Sequence, residues 1–155
     1  MVAQETTNEQ KKQPTVDLRQ GASFEITPHT GAMGGSGVFG VKAGMNYGAL
    51  NLEASFSQVI GKTANLYPLA LNIGLNLSTK GRLLPYGLVG GGLFLTVPTN
   101  AIGAQTVSTV GVNFGGGTRL YLTPKLGIRL EVKQYVTNVE DNLTGNSNLL
   151  IFQEV

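Results

Sequence analysis

Between Val110 and Val132 the chemistry of each residue follows the parity of its number. Even positions carry Val110, Val112, Phe114, Gly116, Thr118, Leu120, Leu122, Pro124, Leu126, Ile128, Leu130 and Val132, while odd positions carry Asn113, Arg119, Tyr121, Thr123, Lys125, Arg129, Glu131, then Lys133, and several glycines. A period of two is the mark of a β-strand with two chemically different faces. One face is apolar, and the other is glycine, amide and charge. Periodicity alone leaves open which face meets solvent, and the function depends on the answer.

The first twenty or so residues are polar, without periodicity or aromatic residues, so residues 1–22 are expected to form a flexible leader. From residue 23 to 155 strands follow one another in a single all-β domain. They are predicted near Ser23–Thr30, Gly37–Tyr47, Leu50–Gln58, Leu66–Leu77, Leu83–Thr96, Val107–Leu122 and Leu126–Val136, with an eighth beginning near Leu149 and cut short at Val155. Short turns are expected at Gly48–Ala49, Ser78–Arg82 and Thr123–Lys125. Longer loops are expected at Gln58–Asn65, Val97–Thr106 and Thr137–Asn148, with an intermediate link at Gly31–Ser36. Long connections alternating with tight ones imply an up-and-down antiparallel meander. Two of the turns are supported by parity. Apolar positions switch from odd to even across Gly48–Ala49, as a two-residue loop requires, and keep parity across Thr123–Lys125, which requires an odd loop.

The polar face collects Lys42, Glu53, Arg119, Arg129, Glu131 and Lys133 together with Asn46, Asn51, Asn72, Asn76 and Asn113. In a soluble ligand-binding barrel this face would be the outer wall, which gives no reason for 22 glycines. In a membrane barrel the apolar face turns outward and the small and polar residues pack a narrow lumen. That arrangement puts Phe39, Val41, Met45, Leu50, Leu52, Phe56, Leu120, Leu122, Leu126, Ile128, Leu130 and Val132 against lipid. Tyr47 and Tyr86, each near a tight turn, are expected in one interfacial aromatic girdle, and Phe39 and Phe56 suit the opposite one. The uncharged stretch from Leu83 to Thr118 is long enough for a helical span but is broken by Pro85, Gly90, Gly91, Gly92 and Pro98. A net charge of +2 without a basic aromatic patch argues against nucleic acid. The absence of cysteine excludes disulfides, thiolate metal sites and cysteine nucleophiles.

The segments FEITPHTGAMGG, GVKAGMNYGALNLEASFS, LLPYGLVGGGLF and VGVNFGGGTRLYLTPKLGIRLEVKQYV resemble the bacterial outer-membrane β-barrel domains of the OmpA/OmpX-like superfamily. The last, with its glycine-rich strand, Thr-Pro-Lys turn and charged alternating strand, is the most specific. The resemblance covers roughly Phe24 to Val155. It implies an eight-stranded transmembrane barrel in the outer membrane of a Gram-negative cell, with short periplasmic turns and longer surface loops. The chain lacks the complete last strand and terminal aromatic residue of that superfamily, so a C-terminal truncation is expected and closure of the barrel is in question.

Charges sharing a narrow lumen must pair or stay hydrated. The expected outcome is an ion-pair network plugging the lumen of a monomeric, non-enzymatic protein with a structural or surface-interaction role. Its partners would be the outer-membrane bilayer and an extracellular ligand or protein at the loops. The alternatives are a small-solute channel or membrane-barrel enzyme on the same scaffold, or a soluble lipocalin-like barrel. No cofactor, metal or catalytic residue is expected. His29, the one histidine, has no Ser or carboxylate tied to it by spacing, and the GSGVFG glycines continue into a strand rather than opening a helix.

Overall fold

The computed structural model describes residues 15–18, 21–99, 106–140 and 147–154. Eight long strands form the wall: β1 (Ala22–Met33), β2 (Ser36–Tyr47), β3 (Leu50–Ile60), β4 (Ala64–Asn76), β5 (Leu83–Pro98), β6 (Val107–Tyr121), β7 (Gly127–Glu140) and β8 (Ser147–Glu154). Each is antiparallel to the next, and β8 returns to β1, giving a closed barrel. The question over closure is thereby answered: the short β8 reaches β1 through the pair Glu154 and Met33.

Turn chemistry sets the register. Tyr47 pairs with Leu50 across Gly48–Ala49. Gly48 has φ +57° and Ala49 has no positive φ, as a type II′ turn requires. Across Thr123–Lys125 the Leu122 N–H donates to the Leu126 carbonyl at 2.9 Å, and the Thr123 hydroxyl accepts from the Leu126 N–H at 3.0 Å. At the opposite end Met33 pairs with Ser36 around Gly34 and Gly35, both with positive φ. The expected alternation of long and short loops is therefore corrected in the first half of the chain. β1 and β2 meet in a tight turn, and β3 and β4 are joined by Gly61–Thr63 alone, because pairing continues through Gly31–Met33 and Gln58–Ile60, which the sequence assigns to loops. The loops at 100–105 and 141–146 lie outside the described residues.

The leader is corrected in part as well. Val16 and Asp17 pair with Gly81 and Lys80, and the Leu18 backbone joins Thr79 and Gly48 at 2.9 Å each. Leu18 is buried against the tight-turn end of the barrel. Residues 1–14 lie outside the described residues.

Burial is inverted relative to a water-soluble core. Phe24, Ile26, Leu71, Ile73, Val110 and Leu130 are all more than half exposed on the outer surface, whereas Asn46, Asn51, Asn113, Arg119 and Lys133 are buried inside. β5, whose two faces the sequence leaves equally apolar, turns its even residues inward: Leu84, Tyr86, Leu88 and Phe94 are buried, while Leu83, Val89 and Leu93 are exposed.

Registers pair small residues with large ones across the lumen face. Gly115 lies opposite Lys133 and Gly117 opposite Glu131. A Cβ at Gly117 would stand 2.1 Å from the Leu130 carbonyl oxygen and 2.8 Å from the Tyr86 hydroxyl. Gly117→Val is therefore expected to destabilise the barrel by about 1–3 kcal/mol or more through overpacking. Gly87→Ala, where a Cβ meets nothing nearer than 3.9 Å, should be nearly neutral. Urea unfolding in detergent micelles followed by circular dichroism measures both.

Candidate functional site: the lumen charge network

Strand alternation brings one residue in two into the lumen, and the closed wall forces side chains from distant strands together. Lys42 of β2, Glu53 of β3, Arg119 of β6 and Arg129, Glu131 and Lys133 of β7 all lie inside, each almost fully buried. Glu131 is the hub. It takes Lys42 at 2.5 Å, Lys133 at 3.2 Å and the Arg129 guanidinium in direct contact. Glu53 takes Arg129 on one oxygen, and Lys133 and the Asn72 amide, each at 3.0 Å, on the other.

Arg119 and Arg129 stand directly opposite one another on β6 and β7. Like charges in that position repel. Two groups from other strands separate them. The Tyr86 ring of β5 lies beneath both guanidinium groups, 4.1 Å from Arg119 and 4.8 Å from Arg129 to its centroid, where the negative face of the ring attracts cations. Glu25 of β1 reaches Arg119 at 3.0 Å and Arg129 at 3.9 Å. The Tyr86 hydroxyl donates to Glu131 at 2.5 Å and accepts from Arg129 Nε at 2.7 Å. The assignment of Tyr86 to the outer girdle is thus corrected: the side chain is 3% exposed and faces the lumen. In a strand apolar at both parities, a tyrosine near a turn carries no sign of its facing.

Other members of the network also escape a sequence reading. Glu25 follows the alternation of β1, inward between the outward Phe24 and Ile26, and parity alone marks it. Glu154 of β8 accepts from the Tyr135 hydroxyl of the neighbouring β7 at 2.6 Å and approaches Lys42 of β2 at 3.9 Å, the second contact existing only because the barrel closes. Lys42, Arg119, Arg129 and Lys133 are thereby set against Glu25, Glu53, Glu131 and Glu154.

Above the charges, Met33, Val38, Val59, Phe94 and Tyr135 form a buried apolar cluster, with Phe94 and Tyr135 edge to face at 5.4 Å. Below them Asn46 Oδ1 accepts from the Asn51 and Asn76 amides at 2.9 and 3.2 Å, and Asn76 accepts from Arg119 at 2.8 Å. His29 Nε2 lies 3.0 Å from Ser57 Oγ, and Glu154 approaches the same nitrogen at 3.6 Å. A Ser–His–acid relay needs the acid on the other ring nitrogen. His29 Nδ1 has no hydrogen-bond partner among the described residues, so these three groups do not form such a relay. No group of three His, Cys, Asp or Glu side chains suited to a metal occurs among the described residues.

The apolar positions expected to face lipid, Phe39, Val41, Met45, Leu50, Leu52, Phe56, Leu120, Leu122, Leu126, Ile128, Leu130 and Val132, are all exposed outside the barrel. Tyr47 is exposed there too, beside Gly48 at the tight-turn end. Toward the other end Phe56 stacks on Tyr67 at 6.4 Å, an outer aromatic pair of which the sequence singled out only Phe56.

The family model for the outer membrane protein beta-barrel domain matches residues 3–151. Among solved structures, the crystal structure of the N-terminal β-barrel domain of Pseudomonas aeruginosa OprF matches with a TM-score of 0.63 at 16% identity, over 87% of this chain and 95% of that one. That is a likeness of fold. No curated protein matches the sequence.

Because Glu131 meets three cations, Glu131→Leu is expected to cost about 3–5 kcal/mol, the penalty of leaving buried charge uncompensated. Glu131→Gln, which keeps hydrogen-bond acceptors, should cost less. Chemical unfolding of the refolded variants in micelles checks the order.

Proposed function

The chain belongs to the outer membrane protein β-barrel domain family, and on that premise we propose that it is a non-enzymatic outer-membrane protein whose plugged barrel serves as an anchor and as a platform for surface interaction. The observation that carries this reading is the filling of the lumen. Cations and carboxylates in the middle are mutually paired, an apolar cluster crosses one end, and Leu18 with an amide ladder occupies the other. A buried charge that already has its partners gives a passing ion little to replace its hydration.

An outward surface of Leu, Ile, Val and Phe suits the hydrocarbon of the outer-membrane bilayer, with Tyr47 placed for an interfacial role. The connections between β5 and β6 and between β7 and β8, at the end opposite the tight Gly48 turn, are the segments free to meet an extracellular ligand or protein. A monomer is the state this reading expects, since Leu, Ile, Val and Phe dominate the outer surface among the described residues.

A gated ion path is the second reading, favoured by one observation: the paired charges span the lumen, so exchanging their partners would move charge along it. Planar-bilayer recording distinguishes the two. The plugged barrel is expected to give no discrete openings, and frequent channel events from the purified protein would favour the path. For the outer surface, Leu71→Arg on β4, whose wild-type side chain is 71% exposed, should cost about 2–4 kcal/mol if it sits near the bilayer midplane. Unfolding from lipid vesicles measures that cost, and a value near zero would argue for water on this face.

A further inference from the structure

Residues Thr15–Leu18 lie across the tight-turn end of the barrel without belonging to its wall. Val16 pairs with Gly81 and Asp17 with Lys80, and the Leu18 N–H extends that register by donating to the Thr79 carbonyl at 2.9 Å. The Leu18 carbonyl then accepts from the Gly48 N–H at 2.9 Å. One residue thus joins the β4–β5 connection to the β2–β3 turn. Exposure alternates along the segment: Thr15 and Asp17 face solvent, Val16 is half-buried and Leu18 is buried.

Gly48 passes this contact into the lumen. Its carbonyl accepts from the Asn76 side-chain amide at 3.4 Å. The same amide donates to Asn46, and Asn76 Oδ1 accepts from the Arg119 guanidinium. Leu84, the first inward residue of β5 after the connection that holds Leu18, pairs with Arg119 and is 0% exposed. Water would reach amides and a guanidinium at the open end of a barrel, yet Asn46, Asn51, Asn76 and Arg119 are almost wholly buried.

We propose that Val16–Leu18 is a detachable strap that shuts this mouth of the lumen, and that its release admits small polar solutes as far as the amide ladder. The inference rests on the plugged-lumen reading and adds a way in from one side. What holds the strap is slight beside the wall. Wall strands are 8 to 16 residues long, whereas the strap is held, among the described residues, by a two-residue ladder, two more backbone bonds and one buried apolar side chain. The Asp17–Lys80 ion pair, at 3.9 Å with Lys80 mostly exposed, adds little. Elements so lightly held open locally, without global unfolding. Release makes no through-path, because Met33, Val38, Val59, Phe94 and Tyr135 still close the opposite end.

With no native cysteine, single thiols report on each end. Leu84→Cys reports on the strapped mouth and Val38→Cys, equally buried, on the opposite end. Each is refolded in micelles with and without Leu18→Asp, and its reaction with a small charged methanethiosulfonate is timed. Leu18→Asp is expected to speed modification of Leu84→Cys by about tenfold or more and to leave Val38→Cys unchanged. An unchanged rate at Leu84→Cys overturns the proposal, and so does an equal rise at Val38→Cys, the sign of a loosened barrel. Release in the unsubstituted chain is read from the Gly48 amide, which should exchange with deuterium about tenfold or more faster than amides in the middle of β2. Leu18 and Thr79 form the hydrogen-bonded pair, so Asp17 and Lys80 are a non-hydrogen-bonded pair with closely spaced side chains. Oxidising Asp17→Cys to Lys80→Cys should therefore lock the strap and slow that exchange, and reduction should restore it. A Gly48 amide as slow as those of β2, or indifferent to the lock, overturns the strap as a lid. Planar-bilayer recording separates this inference from the reading beneath it. Discrete openings by the unsubstituted chain sink the plug and its lid together, whereas a silent chain whose Leu84→Cys ignores Leu18→Asp sinks the lid alone.

Discussion

A strand in a bilayer has no water to satisfy its backbone, so every N–H and carbonyl must find its partner in the next strand. That constraint closes the sheet on itself, and most other features of this molecule follow from closure. Eight strands enclose a lumen just wide enough for side chains to fill. The inward residues are consequently buried by each other, and the outward ones by nothing in the protein. Polar side chains such as Asn113 and Lys133 become the interior, while Leu130 and Ile128 become the surface.

Filling so narrow a lumen with long charged side chains demands both space and compensation. Glycine supplies the space. Gly115 and Gly117 lie opposite Lys133 and Glu131, and the Tyr86 hydroxyl occupies room that a Cβ at Gly117 would take. Opposite charge supplies the compensation. Glu53 and Glu131 each meet two or more cations, and the Tyr86 ring and Glu25 separate two arginines that the register sets face to face. Desolvating such charges is expensive, so the network is weak evidence of high stability and better evidence of a defined packing. The same dense pairing underlies the reading of the barrel as an anchor rather than an open pore.

Alternation made the strands and their two faces legible before any coordinates. β2, β3, β6 and β7 present the expected residues on each side, and the Gly48 turn was readable from a switch in parity. Loop lengths were less legible, because Gly31–Met33 and Gln58–Ile60 are polar or mixed in character and yet continue the ladder to the ends of β1 and β3. The leader was misjudged at Leu18 for a related reason. Val16 and Leu18 are too short an alternation to stand out in a polar segment, yet Leu18 fills a site at the barrel end.

The candidate site divides along the same line. Parity alone determined which side chains share a face, since a pleated backbone turns successive residues to opposite sides whatever the neighbouring strands do. It determined the inward set of β2, β3, β6 and β7, and through the excess of glycine the direction in which that set points. Which carboxylate meets which cation was decided only by the closed barrel. Lys42 with Glu131 and Lys133 with Glu53 lie 89 and 80 positions apart in the chain, and their meeting depends on register and strand order around the whole ring. Tyr86 shows the limit most plainly. Nothing local distinguished an interfacial tyrosine from a lumenal one, and its pairing partner Asn76, already facing inward, placed it beneath two arginines.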